Sequence, residues 1–306
     1  MKKNTFLSGM ALLFTGSLFL TACGGGGSSS VNSSGDTSGT GNTKNAPAKT
    51  TLEKVWETDT SVRAPESALW DSAQKILYVS NIDGDGAAKD GNGFISQLAP
   101  DGKIVKLHWV DGLDAPKGLG MYQGMLYAAD LDSLVIIDMK KAKIKTKIYI
   151  PGATFLNDIA VDDAGNVYMS DTRQGKVFLY ANGKISIYLG SQEMKGANGL
   201  LWKNRKLWIL AADGIYTYDT TSRKLNLFSD AVKGGDGLTA VNDSDLLASR
   251  WVGEVYYVKA DGSADKLLDT RKKHFNTADI TFLPDSQLLV VPTFTGNTVA
   301  AYKLTR

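Results

Sequence analysis

The feature that most constrains the fold of this chain is a short segment that recurs six times. The copies are residues 65–70, 116–121, 156–161, 197–202, 235–240 and 277–282. Their second residues lie at positions 66, 117, 157, 198, 236 and 278, so the steps are 51, 40, 41, 38 and 42 residues. A period near 40 residues with strand-like units is the spacing of blades in a β-propeller.

The first five repeats each continue with three further stretches that have the character of β-strands, and helical periodicity is absent. Asp101-Gly102, Asn182-Gly183 and Asp261-Gly262 mark hairpin turns near the end of three repeats. The sixth repeat contains only three strands before Arg306, whereas residues 52–56 form a strand-like stretch with no partner. We therefore predict an all-β, six-bladed β-propeller whose N-terminal strand closes the last blade and leaves no open edge. A β-sandwich or an open solenoid is the alternative.

The first residues have the character of an export signal rather than of a folded domain. Lys2 and Lys3 precede an apolar stretch at 6–20, and residues 20–23, Leu-Thr-Ala-Cys, resemble the lipobox of bacterial lipoproteins. The resemblance implies a signal peptide at 1–22 and a lipid on Cys23, anchored most often in the outer membrane; an ordinary signal peptide is the alternative. Residues 23–50 are rich in Gly, Ser, Asn and Thr and predict a flexible tether, followed by the propeller at 51–306.

Charge and cysteine content exclude several classes of protein. The formal net charge is +2 and there is no long basic run, which argues against a nucleic-acid partner. Cys23 is the only cysteine, so no internal disulfide stabilises the domain. The expected partners are a small-molecule substrate and, through the lipid anchor, a membrane. No feature of the sequence specifies an oligomeric state.

The aligned second residues of the repeats predict a cluster of side chains at one mouth of the central channel. The innermost strand of a blade lines the propeller axis, so these residues form a ring, here called the column: Glu66, Lys117, Asn157, Asn198, Asp236 and Ala278. Two carboxylates near a dry axis are unfavourable without a compensating cation, and carboxylate and amide oxygens are ligands of hard cations. Ca²⁺ is the first choice, and Mg²⁺ or Mn²⁺ would accept the same ligands. Alternatively, the Asn-Gly and Asp-Gly pairs are simple turns and Lys117 supplies the compensating charge.

Four motifs in order resemble the family of senescence-marker-protein, gluconolactonase and luciferin-regenerating-enzyme-like propellers. They are Pro65-Glu66 with Trp70-Asp71, the stretch 157–171 that begins Asn157-Asp158 and ends Asp171, Asn198-Gly199, and Asp236-Gly237. The resemblance covers residues 52–306 and implies a catalytic divalent cation held by Glu66, Asn198 and Asp236. It also implies that Asn157 is a ligand or a substrate contact.

The chain departs from this family at three places. Paraoxonase-like propellers, more distant relatives of this family, place histidines near the metal in the second and sixth blades. This column has Lys117 and Ala278 there, and His274 lies only on the approach to the sixth blade. The arginine that gluconolactonases place shortly before the matched asparagine is replaced by residues 153–156, Ala-Thr-Phe-Leu. The base and the sugar-acid contact of the family are therefore not supplied in the same way.

The resemblance and the column together predict how catalysis would work. A cation would polarise a lactone or ester carbonyl and activate water, with Asp236 as a ligand and nucleophile. Lys117 beside a cation would have a lowered pKa and act as a base or an oxyanion donor, unless it extends into water. Asp158 would order its loop or help to bind a second, structural ion.

Loops at the same mouth offer candidate substrate contacts. The longest is 81–93, which we predict to be a lid or a substrate rim. Arg173, Arg250 and Trp251 are candidate substrate-binding residues, and the arginines suit an anionic substrate. The matching loops also carry Asp130, Asp132, Asp171 and Asp213. Two functions remain open: a divalent-cation-dependent hydrolase of a lactone or ester at the cell envelope, and a non-catalytic binding propeller for a sugar, peptide or protein.

Overall fold

The computed structural model describes residues 49–190 and 194–306, and almost all of this part is β-structure. It forms six four-stranded antiparallel sheets, which are the blades of a β-propeller. The fold class predicted from the repeat is confirmed. The predicted signal peptide, Cys23 and all but the last two residues of the predicted tether lie outside the described residues.

The strands follow chain order from the axis outward in the first five blades. The first blade is β2 (Pro65–Asp71), β3 (Ile76–Asn81), β4 (Gly93–Leu98) and β5 (Ile104–Leu113). The second is β6 (Pro116–Tyr122), β7 (Met125–Asp130), β8 (Ser133–Asp138) and β9 (Lys143–Tyr149). The third is β10 (Leu156–Val161), β11 (Val167–Asp171), β12 (Lys176–Ala181) and β13 (Lys184–Gly190). The fourth is β14 (Leu200–Lys203), β15 (Lys206–Leu210), β16 (Ile215–Asp219) and β17 (Lys224–Ser229), and the fifth is β18 (Gly235–Ala240), β19 (Leu246–Arg250), β20 (Glu254–Val258) and β21 (Ala264–Asp269).

The sixth blade joins the two ends of the described chain. It contains β22 (Thr281–Leu283), β23 (Leu288–Pro292), β24 (Val299–Thr305) and, as its outer strand, β1 (Thr51–Glu57). β1 pairs antiparallel with β24, from Thr51 opposite Thr305 to Glu57 opposite Ala300. This pairing confirms the predicted closure. It removes the open edge that a three-stranded last blade would expose.

The hydrophobic core is divided into six large clusters, each packed between two neighbouring blades of the described residues. Ile136 of the second blade packs with Phe178 of the third, for example, and Leu283 of the sixth packs with Val79 of the first. Because the sixth blade packs on the first in the same way as the others pack on their neighbours, burial of apolar surface holds the ring closed.

No α-helix is present among the described residues, and only single-turn 3₁₀ helices occur, such as Arg271–Lys273 and Phe294–Gly296. Within the same residues, no helix has the length and apolar character needed to cross a membrane.

The innermost strands carry β-bulges at the residues of the column. In the first blade, Pro65 pairs with Asn81 and Ser67 with Ser80, which leaves Glu66 unpaired. The register shifts in the same way beside the column residues of the second, third and fifth blades. A bulge adds a residue to one strand and re-aims its side chain. The bulges therefore turn the column residues out of the strand ladder and toward the channel.

Three serines on the second strands satisfy the backbone groups that these bulges free. Ser80 Oγ accepts a hydrogen bond from the Ser67 amide at 2.9 Å, and Ser170 Oγ accepts one from the Asp158 amide at 2.9 Å. Ser249 Oγ accepts from the Gly237 amide at 2.7 Å and donates to the carbonyl oxygen of Ala278. Unpaired backbone groups would otherwise be buried at a cost, so these serines stabilise the bulges of the odd-numbered blades.

Candidate functional site

The column residues meet at a cavity of about 200 Å³ at one mouth of the channel. Glu66, Lys117, Asn157, Asn198 and Asp236 form its polar floor, whereas Ala278 is buried and does not line it. Its walls come from loops between strands, namely Ile82, Gly86, Phe155, Trp251 and Phe294. Five of the six column residues are thus brought together.

The two carboxylates of the floor are buried and each has an oxygen without a hydrogen-bond partner. These atoms are Glu66 Oε2 and Asp236 Oδ2. Asp236 Oδ1 accepts a hydrogen bond of 2.5 Å from the amide nitrogen of Asn198. The side-chain nitrogen of Asn198 makes that bond, and the side-chain oxygen of Asn198 is the atom that would coordinate a cation. A buried carboxylate oxygen without a donor is costly, so the arrangement favours a positive ligand at this point.

Burial and mutual repulsion keep both carboxyl groups from ionising easily. The pKa of Glu66 lies well above its ordinary value because the group is buried and because Asp236 and Asp279 repel its charge. The pKa of Asp236 is raised to about 7, first by burial and then by repulsion from Asp279, while the hydrogen bond from Asn198 opposes the shift. A divalent cation would reverse this balance, because it would stabilise both charged forms.

Lys117 is buried at the floor and does not extend into water. Its Nζ donates hydrogen bonds to the carbonyl oxygens of Ala115 at 3.0 Å and Gly86 at 3.2 Å, and lies 4.6 Å from the centre of the Phe155 ring. Burial lowers its pKa, although the charges of Glu66 and Asp130 oppose that shift. Among the described residues it forms no ion pair within 4.0 Å. The hydrogen bonds of its ammonium group therefore go to backbone carbonyl oxygens.

A second pair of carboxylates lies one residue further along the innermost strands. Asp279 Oδ2 accepts a hydrogen bond of 2.5 Å from Ser67 Oγ, and Asp158 accepts backbone amides of Ile159 and Leu200, both at 2.6 Å. Both carboxylates line a different cavity of about 300 Å³ further along the channel. Asp158 thus links the third blade to the fourth, whereas the expected role was to order its own loop or to help bind a second ion. Burial raises the pKa of Asp279 to about 7 and the pKa of Asp158 well above its ordinary value.

The polar ends of the second strands hold the loops that approach the cavity. Asp130 accepts the amide of Ala115 at 2.7 Å, and Asp171 accepts the amide of Thr154 at 2.6 Å. These bonds fix the backbone conformation just before Lys117 and Phe155. Asp130 and Asp171 were predicted as loop residues at the mouth, and in the structure they are buried acceptors that support it.

The other predicted rim residues are divided between the cavity and the surrounding structure. Trp251 lines the cavity, and the guanidinium of Arg173 stacks 4.4 Å from the centre of the Phe155 ring. Arg250 forms an ion pair of 2.6 Å with Glu254. Further candidates on the loops bond elsewhere: Asp132 pairs with Lys89, Asp213 accepts from Tyr216, and the exposed His274 follows a 3₁₀ turn.

The predicted rim loop 81–93 contributes its first half to the cavity. It connects β3 to β4, and Ile82 and Gly86 lie in the wall. Both residues belong to the loop predicted as a rim, whereas Phe155 and Phe294 were not predicted as site residues. The position of Phe155 two residues before Asn157 was a usable signal. Phe294 lies between β23 and β24, the second and third strands of the sixth blade, in the loop equivalent to those that carry Ile82 and Trp251.

A cation in this site would have a mixed set of oxygen donors. The described residues contain no cluster of three or more His, Cys, Asp and Glu side chains suited to a metal ion. The floor instead offers two carboxylates and two amides, which suits a hard cation better than a transition metal.

Comparison with known proteins identifies the fold. No family model and no curated protein matches the sequence. The structure is similar to a virginiamycin B lyase from Staphylococcus aureus in complex with quinupristin, with a TM-score of 0.61 and 13% identity over 84% of this chain and 100% of the other. It is similar to a luciferin-regenerating enzyme, with a TM-score of 0.59 and 15% identity over 84% and 96%. A provisionally named gluconolactonase gives a TM-score of 0.60 and 15% identity over 85% and 93%. At these identities the likeness shows the six-bladed propeller fold.

Proposed function

We propose that this protein is a divalent-cation-dependent hydrolase that opens a lactone or cleaves a related ester at the cavity lined by Glu66 and Asp236. One observation carries the proposal: two buried carboxylate oxygens, Glu66 Oε2 and Asp236 Oδ2, lack hydrogen-bond partners, and their residues line one cavity together with Asn157 and Asn198. A hard cation satisfies such oxygens, and Ca²⁺ is the ion we propose.

The residues that would hold the ion are Glu66, Asn157, Asn198 and Asp236. When bound, the ion supplies Lewis-acid activation of a carbonyl and lowers the pKa of a water molecule. Asn198 already contacts Asp236 at 2.5 Å, so this part of the ligand set is preorganised by a hydrogen bond between neighbouring blades.

The remaining chemistry falls to Asp236 and Lys117. Asp236 receives a proton from water, the water oxygen bonds to the carbonyl carbon, and the bond from that carbon to the ring or ester oxygen breaks. Lys117, fixed by the carbonyl oxygens of Ala115 and Gly86, donates a hydrogen bond to the oxyanion that develops. The leaving oxygen takes up the proton that Asp236 received from water, which returns Asp236 to its charged form.

The absence of an imidazole from the column favours a second candidate function. Ala278 occupies the sixth position, and among the described residues neither His108 nor His274 lines the cavity. A propeller that binds a ligand at this mouth without cleaving it needs no such base. The aromatic wall with Trp251 and Phe294 suits that function equally well.

Hydrolysis of lactones by the full-length protein, followed as acid release in a pH-stat, tests the proposal. We expect turnover that a chelator abolishes and added Ca²⁺ restores, and we expect Glu66→Gln to remove it. The exposed Glu53 on β1 provides a matched control, because Glu53→Gln makes the same chemical change far from the cavity. Turnover that persists in chelator refutes the cation-dependent mechanism. Cation binding without turnover of any lactone or ester favours the non-catalytic function.

A further inference from the structure

The walls of the site differ in chemistry from its floor. Four of the residues that surround the cavity above the polar floor have large apolar side chains. They form what we call the apolar wall: Ile82, Phe155, Trp251 and Phe294. They come from loops of the first, third, fifth and sixth blades, so apolar surface is present on most sides of the mouth.

The apolar wall is held in place by packing rather than by flexible contacts. The rings of Trp251 and Phe294 meet edge to face, with their centres 4.5 Å apart. Phe294 also packs against a small buried cluster that contains Ile82. The Phe155 ring contacts the Nζ of Lys117, at 4.6 Å from its centre, and the guanidinium of Arg173, at 4.4 Å. The wall is therefore largely formed before a ligand binds.

Trp251 is exposed although its ring packs against Phe294. It is 39% exposed, which is high for a tryptophan that contacts another aromatic ring. Exposed aromatic surface beside a concave site gains free energy when an apolar ligand covers it.

The charged groups near the mouth are already engaged with other parts of the protein. Arg250 is paired with the buried Glu254 at 2.6 Å, and Arg173 is stacked on Phe155. Lys117 donates to two backbone carbonyls. The walls therefore offer few free hydrogen-bonding groups to a polyhydroxylated sugar acid, whose hydroxyl groups would lose water without replacement.

We infer that the substrate of this site carries an apolar group, a short alkyl chain or an aromatic ring, attached close to its lactone or ester carbonyl. The carbonyl faces the polar floor, and the apolar group packs against the apolar wall. A cavity of about 200 Å³ has room for a lactone ring and the start of a chain, and the rest of the chain extends along the exposed face of Trp251. The inference names the substrate class of the proposed hydrolase and in that sense rests on the proposed function.

Binding of ketones that cannot be hydrolysed separates the inference from catalysis. We would titrate the full-length protein with 2-methyl-, 2-propyl- and 2-pentylcyclopentanone by calorimetry, because these probes keep the ring carbonyl and lack the ring oxygen. We expect the affinity to rise about two- to fourfold for each added methylene. Hydrolysis of alkyl γ-lactones and of glucono-1,5-lactone would be compared in parallel, with higher kcat/KM expected for the alkyl compounds.

Substitution of Trp251 locates the effect. Trp251→Ala should weaken binding of the pentyl probe about tenfold and leave binding of the methyl probe unchanged. Tyr149→Ala is the matched control, since Tyr149 is an aromatic residue exposed by 61% on the outer strand β9. Phe294→Leu provides a second variant that keeps an apolar side chain and should reduce the chain-length dependence in part.

The outcomes distinguish failure of the inference from failure of the proposed function. Affinity that is independent of chain length, or that Trp251→Ala does not change, overturns the inference even if lactones are hydrolysed. Higher kcat/KM for glucono-1,5-lactone than for the alkyl lactones overturns it as well. Chain-length-dependent binding without hydrolysis of any lactone supports the apolar site and refutes the hydrolase.

Discussion

The substitution Asp236→Asn should have opposite effects on stability in the absence and in the presence of a divalent cation. Without a cation, Asp236 is a buried carboxyl group whose pKa is raised to about 7 from an ordinary value of 3.8. Asparagine has the same shape, keeps an oxygen to accept the 2.5 Å hydrogen bond from Asn198, and removes the charge. In the cation-free protein, the change therefore removes the free-energy cost of a buried carboxylate charge. In the cation-bound protein, it removes one ligand of the cation.

The direction of the pH dependence follows from the raised pKa. The folded protein keeps the proton on Asp236 at pH values where the unfolded chain has lost it, so the folded state binds more protons between about pH 4 and about pH 7. Stability is therefore highest below this window and falls as the pH rises through it. A shift of about three pKa units corresponds to about 4 kcal/mol once the group is ionised. Asparagine removes the charge but keeps a buried polar amide in the same place, so we expect Asp236→Asn to recover about half of this, about 2 kcal/mol.

Calorimetric melting in chelator and in millimolar Ca²⁺ tests this reasoning. For a domain of this size, about 2 kcal/mol corresponds to a rise of roughly 4–8 °C in Tm. In chelator at about pH 8.5, we expect the Tm of Asp236→Asn to exceed that of the unsubstituted protein by this amount. At about pH 4, where Asp236 is protonated, we expect the two proteins to have the same Tm. In Ca²⁺ the unsubstituted protein should gain stability and the variant should not. Asp285→Asn, at an exposed residue, is the matched control.

Two results would refute the argument. A lower Tm for Asp236→Asn than for the unsubstituted protein in chelator at about pH 8.5 would mean that the charge of Asp236 is compensated from within the protein. A full response of the variant to Ca²⁺ would mean that the ion binds elsewhere.

Three further predictions concern the ion, the buried lysine and the approach of neighbouring blades. At a Ca²⁺ concentration one hundred times its Kd, scanning calorimetry should show about 2.7 kcal/mol of added stability, and a Tm independent of Ca²⁺ would contradict the site. Lys117→Met should lower kcat for lactone hydrolysis about 100-fold in steady-state kinetics, because the oxyanion loses its donor, and an unchanged kcat would remove Lys117 from the mechanism. Gly118→Ala should destabilise the protein by about 2 kcal/mol in urea unfolding, because the new methyl group overlaps the backbone of Asp158. Gly190→Ala is the control and should have little effect, because its methyl group meets only the side chain of Lys176.

Much of the fold could be predicted from the repeat alone. The spacing of about 40 residues indicated a propeller, and the six copies of the segment predicted the number of blades. The unpaired stretch at 52–56 predicted the strand that completes the sixth blade. Both inferences depend on local strand pattern and on the cost of an open sheet edge, which do not require knowledge of distances across the molecule.

The column could be predicted in part, because the repeat shows which residues are equivalent. It correctly grouped Glu66, Asn157, Asn198 and Asp236 at one cavity. It placed Ala278 with them, whereas that residue is buried beside the cavity and its carbonyl accepts from Ser249. Equivalence in a repeat gives the position along the axis, but not the direction in which each side chain turns.

The amino-acid sequence by itself determined that six similar β-units close into a ring and that carboxylate and amide side chains share one level of its channel. Only the tertiary structure decided which atoms meet: the partnerless oxygens of Glu66 and Asp236, the two carbonyls that hold Lys117, and the apolar wall. The physical reason is that the repeat records local pairing within a blade, whereas these contacts depend on β-bulges and on unrelated loops brought together by packing between blades.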